Sequence, residues 1–168
     1  MTRKPVVAIL VAVALTIAVA AGVAITPAGT ASNGHASARG LVGTWTQTVN
    51  RPAPLPPLQS IQVFNRGGTG VETSNEPPGT RSPMFSTWKH MGGRMYAATG
   101  VHFVFSPATG EFQGTRKINR TMELAQDGQS FETAARVTAF DASGNIVATF
   151  TARASAKRLQ LEPNPDRP

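Results

Sequence analysis

From Gly43 onward, apolar and polar side chains alternate with a period of two, and no segment keeps a helical apolar period for more than two turns. Turn-forming clusters interrupt the alternation: NRGGTG at 65–70, NEPPGTRSP at 75–83, MGGR at 91–94, SPATGE at 106–111, AQDGQS at 125–130 and DASGN at 141–145. They divide the chain into eight expected strands, at 43–49, 59–65, 69–74, 84–90, 94–105, 111–124, 130–140 and 145–160. Connections this short join antiparallel neighbours, because a parallel crossover needs about a dozen residues or more. Closing such a meander removes its unpaired edges. The expected fold is therefore all-β, a single antiparallel up-and-down eight-stranded β-barrel. The prolines of RPAPLPPLQ, 51–59, lack ladder donors, so this segment is expected to cross one barrel mouth as an extended loop, with NEPPGTRSP doing the same.

Alternate positions on a strand share a face. In the last strand Ile146, Ala148, Phe150, Ala152, Ala154 and Ala156 are expected to point inward. In the preceding one the inward set is Phe131, Thr133, Ala135, Val137 and Ala139. One face of 111–124 is wholly polar, which leaves Phe112, Gly114, Arg116, Ile118, Arg120, Met122 and Leu124 inside. In MYAATGVHFVF, 95–105, the inner set is read as Met95, Ala97, Thr99, Val101, Phe103 and Phe105, with His102 toward solvent. Glu72, Glu123 and Glu132 are read as outward, and the strand at 84–90, which carries Trp88, has no cleanly apolar face to orient it. In GTWTQTV the residues Gly43, Trp45, Gln47 and Val49 face in, so Trp45 is expected to plug the barrel floor with its N–H on a backbone acceptor.

These assignments carry two guanidinium groups indoors. An unpaired buried charge costs several kcal/mol, so Arg116 and Arg120 need acceptors or water. The inward Ala and Gly residues leave space rather than filling it. The functional expectation is a cavity in which Arg116 and Arg120 hold the anionic head group, a carboxylate, of a small hydrophobic or amphipathic ligand, with Phe103, Phe131 and Phe150 lining its apolar part. The alternatives are a bulge near Gly114 that turns both arginines out, or arginines half in water at a barrel mouth.

The net charge of +7 and pI near 11.1 suggest an anionic partner only if the cations cluster. From Arg39 onward they are scattered, and no nucleic-acid partner is expected. With no Cys there is no disulfide or thiol nucleophile. Neither His90 nor His102 has a ligand partner at metal spacing, and His35 lies in the linker, so no metal or cofactor is expected. Asp127 and Asp141 sit in turns, and no carboxylate pair is placed for hydrolysis. Residues 1–38 combine an early basic pair, an apolar run of about 20 residues and the small-x-small end Ala36-Ser37-Ala38, and so read as a signal peptide, or alternatively an N-terminal membrane anchor, plus linker. The barrel domain is then 39–162, exported, and 163–168 a disordered tail.

The Gly43-x-Trp45 tripeptide on a first strand followed by seven more antiparallel strands resembles the calycin group, the lipocalins and fatty-acid-binding proteins. The resemblance implies a cup for small hydrophobic molecules and a basic residue of the last strand, Arg158 or Arg153, over Trp45. The chain departs from it in lacking a mid-chain Thr-Asp-Tyr signature and a helical pattern after the last strand. The segments FNRGGTGVETSN and RSPMFSTWKH are similar to those of small exported bacterial proteins without an assigned activity. The second functional reading is a barrel cyclase or isomerase, similar to allene oxide cyclase or dirigent proteins, with polar help from Tyr96, His90 or Arg120. A third is a surface interaction protein with a filled barrel.

Overall fold

A computed structural model describes residues 40–165, so the expected leader at 1–38 and the last residues of the tail lie outside the described residues. The strands are β1 (Gly43–Asn50), β2 (Leu58–Phe64), β3 (Thr69–Ser74), β4 (Met84–Gly92), β5 (Met95–Phe105), β6 (Phe112–Leu124), β7 (Ser130–Asp141) and β8 (Ile146–Arg158). Each pairs antiparallel with the next, and β8 returns to β1, closing the barrel in chain order. The all-β, eight-stranded antiparallel barrel expected from the turn clusters is the observed fold, and every strand limit lies within two residues of its expected position.

The two ends of the barrel differ. At the floor, Trp45, Phe64, Tyr96, Met122, Leu124 and Phe131 form the buried cluster, with Leu41 packed beneath them. Phe131 meets the Trp45 ring edge-on at 4.8 Å, and the indole Nε1 donates to Leu41 O at 2.9 Å. Burying each of these large side chains contributes about 1.5–3 kcal/mol, which makes the floor the main apolar anchor of the fold. Arg158 lies over the Trp45 ring, its Cζ 4.1 Å from the centroid, and donates to Gly128 O, Val42 O and Gly40 O. Gly43 makes room for this arrangement. Its φ is 137°, and a Cβ there would stand 2.6 Å from Arg158 Nη1. The Gly-x-Trp tripeptide is thus a physical unit: the glycine admits the guanidinium that covers the indole.

At the opposite end lie the proline-rich connections, 51–57 and 75–83. Arg51 clips the first loop shut by donating from Nε and Nη2 to Pro56 O at 3.0 and 2.8 Å. The second is tied to the end of β5, where Ser82 N donates to Phe103 O and Phe105 N to Thr80 O.

Inward sets on β7 and, from Phe150 to Ala156, on β8 follow the sequence reading, whereas Ile146 and Ala148 at the mouth end of β8 are exposed. On β6 a bulge does occur beside Gly114, between the pairs Val104↔Gly114 and Phe105↔Phe112. A Cβ on Gly114 would overlap Phe140 O, so only glycine allows this close approach. Because the slip lies on the mouth side of Gly114, it turns Phe112 outward and leaves Arg116, Ile118 and Arg120 facing in.

Two strands reverse the expected faces. On β5 the inward set is Tyr96, Ala98, Gly100 and His102, while Phe103 lies outside with 51% of its surface exposed. The register explains it: His102 pairs with inward Arg116, and Phe103 with Thr115. On β3, Glu72 points inward and Val71 outward; Gly70, on the same face as Glu72, leaves no room for a side chain, since a Cβ on it would meet Val63 O of β2 at 2.7 Å. The strand left unoriented, β4, directs Met84, Ser86 and Trp88 inward, with Trp88 Nε1 donating to Thr69 O at 3.0 Å.

Candidate functional site

Above the floor the interior becomes polar. Arg120 of β6 is 8% exposed and Glu72 of β3 is 6% exposed, and they meet across the barrel with Nη1 to Oε2 at 3.3 Å. Arg120 Nη2 also donates to Gln62 Oε1 at 2.6 Å, and Gln47 Nε2 donates to Glu72 Oε2 at 3.3 Å. Burial pulls the Arg120 guanidinium down from its ordinary pKa, and the charge and hydrogen bond of Glu72 oppose that pull. The group stays a cation because an arginine starts so high.

The network continues toward the mouth. Arg81, on the loop between β3 and β4, lies 3.8 Å from Glu72 Oε1 and 3.4 Å from Glu76 Oε2, and Glu76 Oε1 takes Arg51 Nη1 at 3.0 Å. Arg51, Glu76, Arg81, Glu72 and Arg120 therefore form one alternating chain of charge with a cation at each end. Arg116 adds another cation, with no ion pair or hydrogen bond among the described residues.

These groups line a cavity of about 300 Å³ at the mouth. Apolar side chains from Val49, Leu55, Ile118, Val137 and Phe150 are interleaved with them in the lining. His102, also in the lining, is buried, and its Nδ1 has no partner among the described residues. Burial first, then the guanidinium groups of Arg81 and Arg116, push the imidazole from 6.5 down to about 3. It is neutral at physiological pH, offering one donor and one acceptor. Gln47 Oε1 and Arg81 Nη2 are likewise buried without a hydrogen-bond partner.

Of the residues singled out in the sequence, Arg116, Arg120 and Phe150 line this cavity. Phe131 does not; it is part of the floor with Trp45. Phe103 is on the outer wall, packed edge-on against Phe112 at 5.8 Å, so its expected place in the lining is corrected. Tyr96 and His90 stack on each other at the floor end, 4.9 Å apart, which leaves Arg120 alone of the polar groups named for a cyclase within reach of the cavity. Sequence reasoning missed Glu72, Arg81 and His102. The available signal was the unmet demand of Arg120 for a counter-charge, which required one carboxylate to face inward from another strand. No protein-family model matches the chain, and no curated protein matches it significantly.

Proposed function

We propose that this chain is an exported, calycin-like barrel that binds a small amphipathic molecule carrying an anionic group, with the anion toward Arg116 and His102 and the apolar portion against Ile118, Val137 and Phe150. The observation that carries this reading is the unmet polar capacity within a cavity whose lining is largely apolar: the Arg116 cation, His102 Nδ1 and Gln47 Oε1. Arg120 has a different part. Its guanidinium is already engaged by Glu72 and Gln62, so it sets the cavity's base and its field rather than supplying the free head-group contact. A volume of about 300 Å³ is at the lower end of the roughly 300–1,000 Å³ typical of small-molecule sites, which favours a short or medium-chain acid over a long lipid.

Titration calorimetry with decanoate and decanol tests the reading. Decanoate is expected to bind, and Arg116→Gln to weaken it by about 10–100-fold, the range of a lost charge-assisted hydrogen bond. Decanol should gain nothing from Arg116. Equal binding of acid and alcohol, or of acid by both proteins, would refute the head-group assignment.

A further inference from the structure

The outer wall carries a feature that the cavity does not use. Val71, Phe85 and Val101 stand directly opposite one another on β3, β4 and β5, and Phe103 and Phe112 extend the same strip toward the mouth. Phe85 is 65% exposed, and Phe103 and Phe112 are about half exposed. Other exposed apolar residues, such as Ile61 and Val147, lie outside this strip, but a contiguous aromatic and aliphatic strip of this kind marks a contact surface.

Immediately floorward, the outer faces of β4 to β8 form a shallow saddle of about 730 Å³. Thr99, Asn119 and Thr121 supply hydroxyl and amide groups, and Lys89, Arg136 and Arg153 supply charge. No carboxylate lines it, and none of the three cations has an ion pair or hydrogen bond among the described residues. Lys117 stands opposite Val101 in register, at the join of strip and saddle. The outward carboxylates of these strands are Glu123, paired with Arg94 at 2.7 Å, Glu132, and at the far end of β7 Asp141, which accepts from Ser143 N and Asn145 N in its own turn.

We infer that this wall is a docking surface for an anionic lipid bilayer, with Phe85, Phe103 and Phe112 entering the interfacial region and Lys89, Lys117, Arg136 and Arg153 meeting the head groups. The two halves require different things of a partner. The aromatic strip needs an apolar phase, and the saddle needs negative charge spread over an area rather than at a point. An anionic bilayer presents both in the same plane. A second copy of the chain satisfies only the strip, since pressing two such walls together opposes unpaired cations. The proposal does not depend on what the cavity binds.

The chain has no cysteine, so a single introduced thiol reports on one place. Full-length Thr87→Cys, on the proposed wall between Phe85 and Lys89, and Thr46→Cys, on the outer face of β1, would each carry an environment-sensitive fluorophore. With vesicles of phosphatidylglycerol and phosphatidylcholine, the position-87 label is expected to shift to the blue and the position-46 label to stay unchanged. Because both proteins keep the apolar N-terminal segment, its own affinity for lipid cancels. Lys89→Gln with Lys117→Gln should raise the half-maximal lipid concentration about 30-fold, since each basic group near an anionic surface contributes about a factor of five. Raising the salt with the unsubstituted wall should act in the same direction. Phe85→Ser with Phe103→Ser should abolish the blue shift. Equal responses at both positions, or an equal response to pure phosphatidylcholine, would overturn the inference. So would a shift without lipid that grows with protein concentration, which would identify a second copy as the occupant, or an equal shift with soluble polyglutamate.

Discussion

The buried imidazole makes a quantitative claim about acid stability. In the folded barrel His102 is held at about 3 by burial and by Arg81 and Arg116, whereas the unfolded chain titrates it near 6.5. Between those values the unfolded state binds the additional proton, so lowering the pH through about 6.5 favours unfolding, and the loss continues toward 3. At pH 7 the penalty is only beginning. By pH 5 it amounts to about 2 kcal/mol, from ~1.4 kcal/mol for each unit below the unfolded value. The figure is insensitive to the folded pKa so long as that stays below about 4, because at pH 5 the folded imidazole is then almost wholly neutral. The perturbation is His102→Gln, which keeps a polar group of similar length without a titrating one. The assay is urea denaturation at pH 7 and pH 5 for both proteins, followed by the fluorescence of Trp45 and Trp88, with m compared to check that the unfolding reaction is unchanged. Every other group contributes equally to the pair. The substituted protein should therefore lose about 2 kcal/mol less stability than the parent over this interval. An identical loss in both would show that His102 is solvated in the folded state and would remove it from the cavity wall.

Three further outcomes follow from the same interior. Glu72→Gln should cost about 3–5 kcal/mol in urea denaturation at pH 7 because it leaves buried Arg120 uncompensated, while the double variant Glu72→Met with Arg120→Met should recover most of that loss; two small, additive effects would place the pair in solvent. Gly43→Ala should destabilise by about 1–3 kcal/mol, since the positive φ disfavours any side chain and the new methyl displaces Arg158 from the indole; a lowered thermal midpoint with altered Trp45 emission is the expected signature, and an unaltered midpoint would contradict it. Arg116→Gln, by contrast, should leave urea stability within about 1 kcal/mol of the parent, because no described residue loses a partner; a large loss would mean that Arg116 holds the barrel together rather than facing a guest.

How much of this was legible in the sequence depends on which side of the wall carried the apolar residues. On β6, β7 and β8 the outer faces are mainly polar, rich in Thr, Arg, Lys and Glu, so alternation alone separated inside from outside and placed Arg116 and Arg120 correctly. Trp45 was equally clear, because the threonines of β1 could only face out. The rule inverted on β3 and β5, where Val71, Val101 and Phe103 are outside and Glu72 and His102 are within. Both failures have the same cause. Periodicity gives two sets of residues, and assigning the more apolar set to the interior presumes that the only apolar neighbour is the barrel's own core. Where the interior is a charged network and the exterior is an apolar strip, the assignment reverses. One resource could have corrected it, since an inward arginine on β6 demands a carboxylate from a facing strand. Glu72 was the single acidic residue at a strand position on the opposite wall, and accepting it would have turned Val71 outward and, through the register, Phe85 and Val101 with it. The misread strands are thus the ones that turn a polar group, Glu72 or His102, inward and an apolar strip outward, and the docking wall and the hidden carboxylate are consequences of a single choice of register.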